Sequence, residues 1–226
     1  MVTFMGEHQN KSYRYERKFI IEQSRLNDLL SSLYSSSYNE KYSERRINNI
    51  YYDDYNFSAV SENLDGLSER KKYRVRWYGE IYEKSNKVLE TKVKNEFLNH
   101  KIHIKLGPMQ LNNLTQIVNF NKEVIQSLNS QKKHYNLLLG KRPTLFNSYK
   151  RRYFENNQYD IRITIDQDLC FFSPITKLNL KEKNIIIEAK FNKDVNFSNT
   201  FKHLSLTRYS KYVKGTLYTS FFAPIH

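Results

Sequence analysis

Apolar and charged residues alternate with a period of two along much of this chain, and that spacing separates two faces only in a β-strand. Over 72–78, Tyr73, Val75 and Trp77 share one face, and Lys72, Arg74, Arg76 and Tyr78 the other. Leu89 and Val93 oppose Glu90, Lys92 and Lys94, while Ile161, Ile163 and Ile165 oppose Arg162, Thr164 and Asp166. Ile185, Ile187, Ala189 and Phe191 oppose Ile186, Glu188 and Lys190. Over 13–22, Tyr13, Tyr15, Phe19 and Ile21 lie opposite Arg14, Glu16, Lys18 and Ile20, with Arg17 the exception on the apolar side. Further strands are expected at 47–54, 100–106 and 146–154.

Helical spacing is rarer. Leu26, Leu29, Leu30 and Leu33 predict a helix with Ser24 as its N-cap. Pro108 is expected to open a helix carrying Leu111, Leu114, Ile117 and Val118. A second helical run should end near Gly140, ahead of Pro143, and a last helix should cover 208–221. Strands outnumber helices and the turns favour hairpins over βαβ units, so the expected class is α+β around an antiparallel, barrel-like sheet. With no linker or internal repeat, residues 11–226 read as one domain behind a loose tail at 1–10.

The polar faces bear on function because the chain is strongly basic. Its 226 residues hold 37 Lys and Arg against 23 Asp and Glu, a net charge of +14. A folded domain with that excess calls for an anionic partner, whether nucleic acid, a membrane surface or a phosphorylated molecule or polymer. The chain does fold, since 18 Tyr and 14 Phe against 6 Gly and 4 Pro is no disordered composition. The lone cysteine, Cys170, allows no intrachain disulfide or cysteine zinc cluster and suits a reducing compartment. No apolar run nears the ~18 residues of a membrane span and no signal-peptide core is visible, so a cytoplasmic location is expected.

One short pattern recurs on three of the expected strands: Glu16-Arg17-Lys18, Glu90-Thr91-Lys92 and Glu188-Ala189-Lys190. Each places a carboxylate and an ammonium on the same side, and Arg74, Arg76, Lys94, Arg151, Arg162 and Asp166 join that face. On a single strand this would be a solvated surface of weak cross-strand pairs. As a set it differs, because four arginines gather there without evident partners, and the planar guanidinium fork suits phosphate oxygens. If the sheet closes, the face lines a charged tunnel that an anion stabilises, and its carboxylates can hold a divalent metal bridging phosphates. Nucleic acid fits less well: Trp77 falls on the apolar side with Val75, and no zinc-finger, RNP-type or helix-turn-helix pattern occurs.

In chain order, YERKF (15–19), IYYDD (50–54), NLDG (63–66), KYRVRWYG (72–79), LETKVK (89–94), RPTLFNSYKRRYF (142–154), DIRITIDQDL (160–169), IIIEAKF (185–191) and YSKYVKG (209–215) can be set against known motifs. The series resembles the VTC domain, the polyphosphate polymerase domain of the vacuolar transporter chaperone complex and its bacterial relatives. That family lies within the triphosphate tunnel metalloenzyme, or CYTH-like, superfamily. The resemblance implies an eight-stranded antiparallel β-barrel tunnel with flanking helices, binding ATP and a growing inorganic polyphosphate chain. It implies a metal-dependent phosphotransferase that moves the γ-phosphoryl group of ATP onto that chain. Arg74, Arg76, Lys92, Arg151 and Arg162 would then carry catalysis. Lys18, Lys211 and Lys214 would grip phosphate, joined by Lys94 and Lys190 on the same polar face. Glu188 would hold Mn²⁺ or Mg²⁺, with Glu16 and Glu90 as further ligands or orienters. Arg14 stands where hydrolysing members of the superfamily carry the first acid of ExExK, which favours transfer between phosphates over hydrolysis. Lys101 and His103 stand where the family often has Lys-x-Arg. A triphosphatase of the same fold and a non-catalytic polyphosphate-binding module are the alternatives. Any coupling to transport would come from a membrane-protein partner.

Overall fold

A computed structural model describes residues 15–95, 99–131, 134, 136–191, 201 and 204–221; the expected tail at 1–10, with Tyr13 and Arg14, lies outside the described residues. The alternating segments form β1 (Tyr15–Glu22), β2 (Asn39–Asp53), β3 (Arg70–Tyr78), β4 (Ser85–Lys94), β5 (Asn99–Met109), β6 (Arg142–Asn156), β7 (Ile161–Phe172), β8 (Asn179–Lys181) and β9 (Asn184–Phe191). Every pairing is antiparallel, in the order β1-β9-β7-β6-β2-β3-β4-β5, with the short β8 added beside β7. The expected antiparallel, eight-stranded path is therefore present, with β8 outside it. Its terminal strands β1 and β5 do not pair with each other among the described residues, so the sheet is curled and barrel-like with an open seam.

Helices cover the apolar outer faces. Val75, Trp77, Leu89 and Ile104 pack under α3 (Ile117–Ser130), which presents Ile117, Phe120, Val124 and Leu128 at helical spacing. Trp77 is fully buried between Phe120 and Phe146, each about 6.1 Å away between ring centroids. Phe19, Ile21, Ile163, Ile187 and Phe191 form a second cluster with Leu29 and Leu33 of α1 (Leu26–Ser35). A third cluster, around Leu145, Tyr149, Phe171 and Ile186, lies on the inward face and is completed by Ala59 and Val60 of α2 (Ser58–Leu64) and by Tyr212 and Val213 of α4 (Lys211–Thr216). Each fully buried side chain of this size contributes roughly 1.5–3 kcal/mol; the first two clusters hold apolar faces outward under α3 and α1, which leaves the charged faces inward beside the third.

The helices depart from expectation at their ends. Ser24 does not cap α1: it lies in a 3₁₀ turn, Gln23–Arg25, and its hydroxyl donates to Glu22 at 3.5 Å. Pro108 opens no helix. It belongs to β5, paired with Asn86, at the sheet edge where a missing N–H is tolerated. α3 begins only after a second 3₁₀ turn, Leu114–Gln116, whose N-cap Asn113 accepts from the Thr115 N–H. The run ending at Gly140 is a series of turns over 136–140. The last helix starts at Lys211, with Ser210 accepting from the Val213 N–H, and continues as a π-helical turn, Leu217–Phe221. β2 starts at Asn39, ahead of the expected 47, because its first half pairs with β6 through two bulges. No helix of the described residues is long and apolar enough to cross a membrane.

Candidate active site

The inward faces enclose a cavity of about 210 Å³. β1 supplies Glu16 and Lys18, β9 Glu188 and Lys190, β6 Tyr149 and Arg151, and β3 Lys72, Arg74 and Arg76. β4 adds Glu90 and Lys92, β5 Lys101, β2 Tyr51, and residues 209–212 close the lining at the start of α4. Nine basic side chains thus face three acidic ones.

Register explains which charges meet. Lys18 stands opposite Glu188, and Glu16 opposite Lys190. Lys18 Nζ lies 3.0 Å from Glu16 and 3.6 Å from Glu188; Lys190 pairs with Glu188 and lies 3.8 Å from Glu16. Arg74 is opposite Glu90 and donates to it through Nε at 2.8 Å and Nη2 at 2.5 Å, while Arg76 reaches the same carboxylate at 3.4 Å and donates to Asn49 at 2.9 Å. Arg151 forks onto Asp166 at 2.5 and 2.8 Å, and Lys211 also pairs with Asp166 at 2.5 Å. The expectation of partnerless arginines is therefore corrected for Arg74, Arg76 and Arg151. A guanidinium has five N–H donors, so each retains donors for a ligand while its carboxylate fixes its orientation.

Lys72, Lys92 and Lys101 are in register across three neighbouring strands. None of the three makes an ion pair among the described residues. Burial, with Lys92, Arg70, Lys18 and Arg74 nearby, pushes the Lys72 ammonium down to about 7. Burial lowers Lys92 and Lys101 as well, with Lys190 and Arg74 adding to the effect at Lys101. Lys18 goes the other way: burial opposes its charge, but Glu188 and Glu16 outweigh it and raise the pKa. At Glu90 and Glu188 burial disfavours the carboxylate. Arg74 and Arg76 still lower the pKa of Glu90, and Lys190, Lys18 and Arg151 hold Glu188 well below the usual range. Asp166, almost fully buried, is likewise held down by Arg151 and Lys211 against the effect of burial.

Of the residues expected at the site, Lys18, Arg74, Arg76, Lys92, Arg151, Lys190, Lys211, Glu16, Glu90 and Glu188 line the cavity; Arg162, Lys94 and Lys214 do not. Lys214 turns to Glu182 at 2.8 Å and lies 4.8 Å over the Tyr209 ring. Lys94 ends β4 opposite Arg70 and Asn99. Arg162 is exposed, on the Asp166 face of β7 but nearer the start of the strand. The lining also holds Tyr51, Tyr149, Tyr209 and Tyr212, none of which was expected at the site. Alternation carried the signal for two of its members: Lys72 continues the Arg74–Arg76 face, and Tyr149 continues that of Arg151.

Among the described residues no group of three or more His, Cys, Asp or Glu side chains is gathered to hold a metal. Glu16 and Glu188 nevertheless share both Lys18 and Lys190. Two carboxylates are what a hard divalent cation takes from protein when phosphates complete its shell, so this pair fits such an ion. Glu90 is engaged apart from this pair, by Arg74 and Arg76.

No curated protein matches the chain in sequence. Solved structures with a related chain path include a candidate adenylate cyclase from Vibrio parahaemolyticus, at 11% identity and a TM-score of 0.48, covering 88% of this chain and 95% of that one. The PH1819 protein from Pyrococcus horikoshii is 12% identical with a TM-score of 0.46, covering 89% and 97%. A candidate adenylyl cyclase from Hippeastrum with a dominant triphosphatase activity is 13% identical with a TM-score of 0.43, covering 80% of each chain. The family model of the VTC domain matches residues 13–220, from the first strand to the C-terminal π-helical turn, and the chain belongs to the VTC domain family.

Proposed function

We propose that this chain is a polyphosphate polymerase that transfers the γ-phosphoryl group of ATP to the end of an inorganic polyphosphate chain inside the cavity. The observation that carries the reading is the excess of cations, converging from β1, β3, β4, β5, β6, β9 and α4, around three carboxylates that each pair with a cation of the lining. Glu188 and Glu90, whose pKa values their cationic neighbours lower, are poor proton acceptors. A terminal phosphate oxygen is already anionic near neutral pH and needs none, so positioning and charge neutralisation suffice for phosphate-to-phosphate transfer.

In this reading Arg74, Arg76 and Arg151, oriented by Glu90 and Asp166, bind the equatorial oxygens of the transferring group. Lys72, Lys92 and Lys101 hold the neighbouring phosphates, and Lys18, Lys190 and Lys211 complete the enclosure. Glu188 and Glu16 would hold Mn²⁺ or Mg²⁺, which would supply further charge neutralisation when bound.

Incubation with ATP and Mg²⁺ or Mn²⁺, with products resolved on a gel, tests this. A ladder of polyphosphate is expected, and ADP without a ladder would overturn the reading. Arg74→Ala should lower turnover by about 10²-fold, the scale of losing one preorganised charge donor, while the circular dichroism spectrum stays native. Hydrolysis is the second reading, favoured by Lys72, whose pKa of about 7 gives it the range of a general base. Free phosphate released in step with ADP would mark it.

A further inference from the structure

The cations of the cavity fall into two groups. Lys18, Lys190, Lys211, Arg74, Arg76 and Arg151 each reach a carboxylate. Lys72, Lys92 and Lys101 pair with no acid among the described residues, and they stand opposite one another across β3, β4 and β5, strands ~4.8 Å apart. Lys72 is the half-buried member of this row, and Lys92 and Lys101 are exposed. Its ammonium reaches the Ser210 hydroxyl at 3.4 Å, an oxygen that also caps α4.

The groups around Lys72 all favour its neutral form. Lys92 faces it from β4, Lys18 from β1, and Arg70 and Arg74 flank it on its own strand. The acids of the lining, Glu16, Glu90 and Glu188, are taken by other cations, and Asp53 at the end of β2 accepts from Tyr212 and from the Ala59 N–H. With burial added, the pKa falls to about 7, so near neutral pH about half of these amines carry an unprotonated lone pair. A nucleophilic amine thus stands one strand away from cations suited to a phosphate.

That juxtaposition selects an electrophile. Its reactive carbon must lie next to a phosphate, and it must be small enough for a cavity of about 210 Å³. In an acyl phosphate one bridging oxygen separates the acyl carbon from the phosphorus. A phosphate held by Lys92, Lys101 and Arg74 therefore brings the acyl carbon to the Lys72 amine. We propose that Lys72 is a modification site at which small acyl phosphates acylate the ε-amine. The nitrogen lone pair forms a C–N bond to the acyl carbon, the bond from that carbon to the bridging oxygen breaks, and orthophosphate leaves with its electron pair. The amine proton passes to the departing phosphate, and nothing is oxidised or reduced. This chemistry rests on the reading that the cavity takes phosphate groups. It adds a way of weakening the cavity, because the amide carries no charge.

The full chain is incubated with acetyl phosphate near pH 7.5, and acetylation at each lysine is read by peptide mass spectrometry, with fragmentation separating Lys72 from the exposed Lys71 beside it. Lys72 should be acetylated roughly tenfold faster than Lys71 or Lys122, the low end of what a focused positive field gives an anionic reagent. Saturating tripolyphosphate should bring it down to their level. With phenyl acetate, an uncharged acyl donor, the preference should fall away. Treated protein should bind tripolyphosphate roughly fivefold more weakly in calorimetry, the scale of one lost charge contact. Lys72→Arg, whose guanidinium stays protonated, should lose no affinity on the same treatment. Labelling of Lys72 no faster than of Lys71, labelling that favours Lys92 or Lys101, an equal preference with phenyl acetate, or no protection by bound tripolyphosphate would each overturn the modification site and leave the polyphosphate reading standing. Wild-type protein that does not bind tripolyphosphate would instead overturn that reading, and the modification site with it.

Discussion

Two ionisable groups show how far neighbours set the behaviour of a side chain here. Asp166 is 1% exposed and stays ionised because Arg151 and Lys211 both reach it. Arg151→Ala leaves a buried carboxylate with one partner, and should destabilise the protein by about 3 kcal/mol in urea unfolding. Arg151→Lys should recover part of that loss, since the charge returns without the fork. Lys72, at about 7, titrates in the opposite sense from an acid. Its charge is lost as pH rises through that value, so tripolyphosphate affinity should fall between about pH 6 and 8, and Lys72→Met should flatten the profile. Binding near neutral pH should take up protons, seen as a calorimetric heat that varies with buffer ionisation enthalpy. Because its folded pKa lies below the ordinary 10.5, the empty protein should gain stability as pH rises from about 7 toward that value, where the unfolded chain binds more protons. Alternation alone put Lys72 on the polar face. The depressed pKa needed burial of the ammonium, and Lys92 and Lys18 brought beside it from other strands.

At the scale of elements, α4 shows how a short helix can set the chemistry of a cavity it barely enters. Gly215 lies where an added Cβ would stand 2.7 Å from Leu145 Cδ2 and 2.8 Å from Phe171 Cε1. Gly215→Ala should therefore cost about 1–3 kcal/mol by overpacking and move α4 away from β6 and β7. Lys211 on α4 holds Asp166, so tripolyphosphate affinity should fall although Gly215 lines no part of the cavity; thermal unfolding and titration of the same variant check both effects. Element ends were the least legible part of the sequence. Pro108 reads as a helix start by residue type, yet edge position in β5 suits it equally well. The 208–210 stretch continues a helical spacing that Ser210 interrupts by capping at Lys211. In both places the local pattern fits two structures, and long-range contacts select one.

The whole molecule turns a familiar arrangement inside out: apolar sheet faces point outward under α1 and α3, and charged faces point inward. Nine cations around one cavity repel one another, and an anion that binds only the folded state relieves this. Tripolyphosphate should raise the melting temperature more than orthophosphate at equal concentration. The ligand-free protein should also melt higher as salt screens the repulsion; a melting temperature that falls with moderate salt would contradict the claim that the cavity is a net source of strain.

The sequence alone determined the eight main strands in outline, their two faces and the gathering of Lys, Arg and Glu on one of them, because period two is a local property of the backbone. It did not determine which face would be enclosed, since alternation is the same whether the polar side meets water or a cavity. Only tertiary structure decided that, through helices seated on Trp77 and Ile187. The same closure decided which arginines have carboxylate partners, bringing Arg151 to Asp166 and Arg74 to Glu90 while leaving Arg162 outside. The physical reason is that partnership depends on cross-strand register and sheet curvature, and both are fixed by residues far apart in the chain.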